Sequence, residues 1–163
     1  MRASSVLLLL AAPSFALAAC NPIHRAPVTE VTRDANVNTR WRAALVTPAA
    51  LAGAVQMKGS ATMQPSGNDG QSTVFALSID NATPGGVHPW QVHRGQCGTD
   101  DEGLVGSADA YRAIKIGDDG RGTSSASIPM ATPSSGNYFV TVQASAANPE
   151  TVVACGNLAP PSR

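Results

Sequence analysis

Clusters of turn-forming residues cut this chain into short pieces, and no piece between them carries a sustained helical period. Residues 65–70 (PSGNDG), 81–86 (NATPGG) and 118–120 (DDG) are the clearest of these clusters. Proline fixes φ, glycine accepts positive φ, and Asn and Asp side chains bond their own backbone, so such clusters end regular structure. The pieces between them read as strands. Residues 72–79 (STVFALSI) put Val74, Ala76 and Ser78 on one face and Thr73, Phe75, Leu77 and Ile79 on the other. That period of two is the signature of a half-buried strand. Residues 41–46, 54–63, 87–93, 111–116, 123–128, 138–143 and 151–154 complete a set of about eight short strands. The DDG at 118–120 predicts a hairpin-type turn, and residues 94–110 read as a loop. This punctuation excludes a helical bundle. It predicts an all-β, antiparallel sandwich or barrel, and a chain of 163 residues fits one such domain.

The N-terminal residues follow different rules. Residues 1–19 hold a lone Arg2, an apolar run at 6–12 and then small residues, the pattern of a secretory signal peptide. The apolar run is too short and too interrupted to span a bilayer comfortably. Residues 17–20 (LAAC) resemble a bacterial lipobox, in which cleavage precedes the cysteine and its thiol is acylated. Cys20 is therefore the expected lipidation site, and several acyl chains on one residue give stable anchoring. Residues 20–39 are polar, carry two prolines and show no period, so they read as a flexible tether. His24 lies in that tether and is expected to be a solvated linker residue. The predicted domain spans residues 40–158, and 159–163 form a C-terminal tail. The expected location is the bacterial cell envelope, anchored to a membrane, with the domain in the periplasm or at the cell surface. Its expected partners are the lipid bilayer and an envelope component that the sequence does not identify.

Composition narrows the function. The formal net charge is +0, and only 13% of residues are charged. A nucleic-acid binder needs a basic face for phosphates, so that class is excluded. The chain has 3 cysteines, an odd number. With Cys20 acylated, Cys97 and Cys155 are left as a pair in an oxidising compartment and are expected to form a disulfide. Two free thiols or a metal pair are the alternatives, although the CxxC spacing that favours metal is absent. Met57, Met63 and Met130 are expected to fill core rather than bind copper. The acidic run Asp100-Asp101-Glu102 is expected to be a solvated loop rather than a calcium site. Trp90 is expected in the core or as a plug over a site. No nucleophile elbow, phosphate loop or Ser-His-Asp spacing is visible.

Residues 86–93 (GVHPWQVH), followed by Cys97-Gly98, resemble the copper-site strand of copper/zinc superoxide dismutases. That family reads Gly-x-His-Gly-Phe-His-Val-His before the loop that carries its first disulfide cysteine. Residues 152–157 (VVACGN) resemble the family's Arg-Leu-Ala-Cys-Gly-Val, which carries the second cysteine. Residues 118–120 fall at the family's hairpin turn, and residues 138–143 (YFVTVQ) at a strand that ends in a copper histidine. The resemblance covers about residues 41–158. It implies an eight-stranded Greek-key sandwich or barrel with one disulfide, Cys97–Cys155, pinning a loop to the last strand.

The same comparison implies a degenerate metal site. The family holds copper with four histidines. Here Gln91 and Gln143 stand at two of those positions, and His93 is the only aligned copper ligand. His88 matches a histidine that supports the site by hydrogen bonding. The loop after Cys97 has no histidine in place of the bridging and zinc ligands, and Val152 falls near the arginine that steers superoxide. Imidazole nitrogen suits copper, whereas a Gln amide oxygen is a weak, neutral donor. Gln91 and Gln143 are read as polar fillers that keep roughly the volume of His. No catalytic residue is assigned and no cofactor is expected, zinc least of all. The expected function is a binding or structural module without dismutase activity. The alternatives are a superoxide dismutase with residual activity, or a copper-binding protein that uses His93 and a non-standard ligand set.

Overall fold

The alternation at 72–79 becomes β3 (Ser72–Asp80), in which Thr73, Phe75, Leu77 and Ile79 are buried and their neighbours are not. A computed structural model describes residues 40–67 and 70–161. The expected signal peptide and tether, with Cys20 and His24, lie outside the described residues.

β1 (Trp41–Val46) buries Trp41, Ala43 and Leu45 in strict alternation. β2 (Lys58–Ser66) pairs along its whole length with β3, from Lys58↔Asp80 to Ser66↔Ser72. β8 (Gly122–Ile128) pairs on the far side of β3. β5 (Trp90–Gln96), β9 (Tyr138–Ser145) and β10 (Asn148–Asn157) form the other half of the sheet, with β6 (Asp100–Leu104) at its edge. The full order is β6-β5-β9-β10-β1-β2-β3-β8, and every pairing is antiparallel. A separate two-stranded ladder joins β4 (Val87–His88) to β7 (Ile114–Lys115).

The seam between the halves is thin. β1 meets β10 through Val46↔Cys155, and an isolated bridge joins Arg42 to Ala159. Inward side chains from both halves enter one apolar cluster, including Trp41, Phe75 and Ile79 from one side and Trp90, Val92, Val140 and Val142 from the other. The sheet is thus curled into a sandwich-like arrangement around one core. Burying each large apolar side chain contributes roughly 1.5–3 kcal/mol, which makes this shared cluster the main source of cohesion. Met57 and Met63 are buried in it, as expected, and Met130 packs partly buried against it. Trp90 is core rather than plug. Its Nε1 donates to the carbonyl of Arg112 (2.8 Å) and to Ser124 Oγ (3.0 Å), and its ring meets Tyr111 edge-on at 5.0 Å. Tyr111 in turn donates to the carbonyl of Val105 at 2.5 Å. Burial pushes its phenol pKa well above the ordinary value.

Four expectations need correction. Residues 87–93 are not one strand: Pro89 lacks the donor a ladder requires, so β4 and β5 are separate. Residues 94–110 are not all loop, because β6 forms at 100–104. The strand expected at 111–116 shrinks to Ile114–Lys115, since the Tyr111 ring packs edge-on against Trp90 and the Arg112 carbonyl accepts the Trp90 hydrogen bond instead of pairing. Ala159, placed in the tail, exchanges two backbone bonds with Arg42 and belongs to the fold. The turn at 118–120 does form, closed by the Gly117 amide donating to the carbonyl of Arg121 (2.8 Å).

Candidate functional site

β9 departs from simple alternation: residues 139–143 are all buried. Val140 and Val142 face the core. The alternate set Phe139, Thr141 and Gln143 faces the other way and is covered as well. A strand covered on both faces marks a place where something packs over the sheet. Antiparallel register puts the outer residues of β5 on this same face, with Gln91 opposite Thr141 and His93 opposite Phe139. Gln91, His93, Thr141 and Gln143 are therefore neighbours on one patch of sheet.

Three of these four side chains, His93, Thr141 and Gln143, make specific contacts. The His93 ring stacks on Phe139 with centroids 5.3 Å apart and planes 24° from parallel. Its Nδ1 lies 3.0 Å from Asp101 Oδ1, and its side chain is only 14% exposed. A carboxylate can only accept here, so Nδ1 carries the proton and Nε2 is left as the ring's remaining nitrogen. Asp101 also accepts from the backbone amide of Gly103 at 2.8 Å. That backbone bond first, and His93 after it, hold the Asp101 carboxyl below its usual pKa. Gln143, 7% exposed, donates from Nε2 to Thr141 Oγ1 at 3.2 Å, while its Oε1 has no partner among the described residues. A buried amide with an unmatched oxygen costs roughly 1–3 kcal/mol relative to a fully bonded one.

His88 lies apart from this group. Its Nδ1 donates to the backbone carbonyl of Gln143 at 3.1 Å. Its Nε2 is buried without a partner among the described residues. Pro89 separates the two histidines into different strands, and they engage different partners. Among the described residues, no three His, Cys, Asp or Glu side chains come together as a metal-holding group.

The expected disulfide is present. Cys97 and Cys155 are bonded, with Cα atoms 6.1 Å apart, tying the start of the β5–β6 connection to β10. The Cys97 amide also donates to Asn157 Oδ1 at 2.8 Å. Beside this bond lies a cavity of about 310 Å³. Phe139, Thr141, Val152 and Pro48 form walls, and Thr99, Asp100 and Asp101 stand at its β6 side. The cavity, β6 and the role of Val152 as a wall were missed from the sequence. Only the resemblance, which aligned Val152 with a site residue, pointed toward this place. A second cavity of about 500 Å³ is lined by residues 53–57, Asn81, Thr83 and His88. No helix among the described residues is long and apolar enough to cross a membrane. No family model and no curated protein matches the chain.

Proposed function

We propose that this chain is an envelope-anchored lipoprotein domain of the copper/zinc superoxide dismutase type that has lost its metal chemistry and serves as a binding module. Three features support the fold part of this reading. The strand order has two crossovers, β8 beside β3 and β9 beside β5, which is what a Greek key would require. The disulfide joins the loop after β5 to β10. The histidine at the supporting position, His88, bonds the backbone of the strand that carries Gln143.

The loss of chemistry rests on one observation. Where the resemblance calls for three copper histidines on the outer face of β5 and β9, that face holds Gln91, His93 and Gln143. One imidazole and two amides do not make a site that holds both Cu(II) and Cu(I). Gln143 Nε2 is spent on Thr141, and His93 Nδ1 is spent on Asp101. The retained frame and the altered face together favour binding over turnover.

Restoring the histidines tests this reading. Gln91→His combined with Gln143→His should raise copper affinity at least 100-fold over the parent, measured by competition with a chelator of known affinity. An unchanged affinity would mean that the two positions do not converge as proposed.

A further inference from the structure

The cavity beside the disulfide has a consistent chemistry. Its walls are apolar: the Phe139 ring, Val152, Pro48 and the Cys97–Cys155 bond. Its charged groups are all of one sign. Asp100 and Asp101 line it, and Glu102 follows them on the same exposed edge strand. Asp101 is engaged by His93 and by the amide of Gly103. The Asp100 carboxylate is exposed and makes no hydrogen bond or ion pair among the described residues. No lysine or arginine lines the cavity. The approach of β6 to β5 is built into the backbone. Gly95 has φ +106, and a Cβ there would collide with the Asp100 carbonyl. The acidic edge is therefore held against the cavity by backbone shape and by the disulfide at its base.

We infer that this cavity binds a small organic cation, an ammonium group carried on an apolar body. This rests on the reading of the chain as a binding module. The apolar body enters between Phe139, Val152 and Pro48, where removal of water from both surfaces drives association. The ammonium stays at the rim and meets Asp100, whose charge is unopposed there. At about 310 Å³ the space lies at the lower end of small-molecule sites and suits one aromatic or short aliphatic body. An organic anion of the same shape would bring its charge against two carboxylates and be rejected, so the acidic edge sets selectivity by repulsion as well as attraction.

The test uses the metal-free, isotope-labelled protein in the presence of EDTA, observed by amide NMR. The probes are 2-phenylethylammonium and 3-phenylpropionate, matched in body and opposite in charge. The ammonium should shift the amides of Thr99, Asp100, Thr141 and Val152 in a saturable way, and the carboxylate should not. Asp100→Asn replaces an exposed side chain without bonded partners and should weaken the ammonium roughly two- to fivefold, as expected for one rim charge. Raising the salt to 0.5 M should weaken it in the parent by a similar factor. Equal binding of both probes, no saturable shift at these amides, or no response to Asp100→Asn and salt would each overturn the proposal. Because copper is excluded throughout, these outcomes are separate from the metal test of the binding-module reading.

Discussion

Breaking the disulfide at its less buried end, Cys97, gives the most quantitative prediction. Cys97 is the better position, because Cys155 is 4% exposed and a serine there would also bury an unmatched hydroxyl. The bond closes a sequence separation of 58 residues. In the chain-entropy account, releasing such a loop into the unfolded state lowers stability by about 4 kcal/mol at 25 °C. Unfolding a domain of roughly 120 residues carries an entropy of about 250 cal/mol/K, so the loss corresponds to a fall in Tm of about 16 °C. The assay is a thermal melt followed by far-ultraviolet circular dichroism on three samples: oxidised parent, reduced parent and oxidised Cys97→Ser. The reduced parent and the variant should melt together, well below the oxidised parent. If the oxidised parent, with its bond verified by thiol titration, melted within 3 °C of the variant, the loop-closure reasoning would be wrong.

Further predictions concern the core, the outer face and pH. Trp90→Phe removes the Nε1 donor to Arg112 and Ser124 and should cost about 2 kcal/mol of unfolding free energy measured by denaturant; a loss under about 0.5 kcal/mol would make those bonds energetically irrelevant. Gly156→Ala would drive a Cβ into the Ala44 carbonyl at the β1–β10 seam, and should destabilise by more than about 2 kcal/mol. Gln143→Leu removes the unmatched buried Oε1 and should be neutral or stabilising by denaturation, whereas a large loss would show that the amide has an essential partner. Asp101 has a folded pKa below its ordinary value of 3.8, so its contribution is complete above that value and declines as pH falls through the lower, folded one. Acid unfolding of Asp101→Asn should therefore show a smaller loss between about pH 5 and pH 2 than the parent. Identical profiles would remove Asp101 from the account.

The core strands were legible because their residues obey one rule at a time. β3 alternates from Thr73 to Ile79, and β1 from Trp41 to Leu45, so period and burial agree. The Cys97–Cys155 bond was legible from the cysteine count and the expected oxidising compartment, and the resemblance reinforced it. Other features depended on partners distant in sequence. β6 is built from Asp100, Asp101 and Glu102, residues with poor strand propensity. It forms because Gly95 allows close approach and His93 pairs with Asp101. The break at Pro89 was readable from the proline alone and should outweigh the strand-like residues around it. The burial of Thr141 and Gln143 was not readable, since polar residues at alternate positions normally face water. Their neighbours on that face come from β10, with Cys155 opposite Thr141 and Val152 opposite Gln143, and these are distant in sequence.

The central proposal is that the fold has outlived its metal chemistry. Its most direct test is one sample and two readings. The protein, produced in an oxidising compartment and incubated with copper, is passed through a chelating column, and bound metal and superoxide consumption are then measured on the same fraction. The account predicts copper well below one ion per chain and superoxide loss no faster than the spontaneous reaction. One tightly held copper per chain together with catalysed superoxide loss would contradict it.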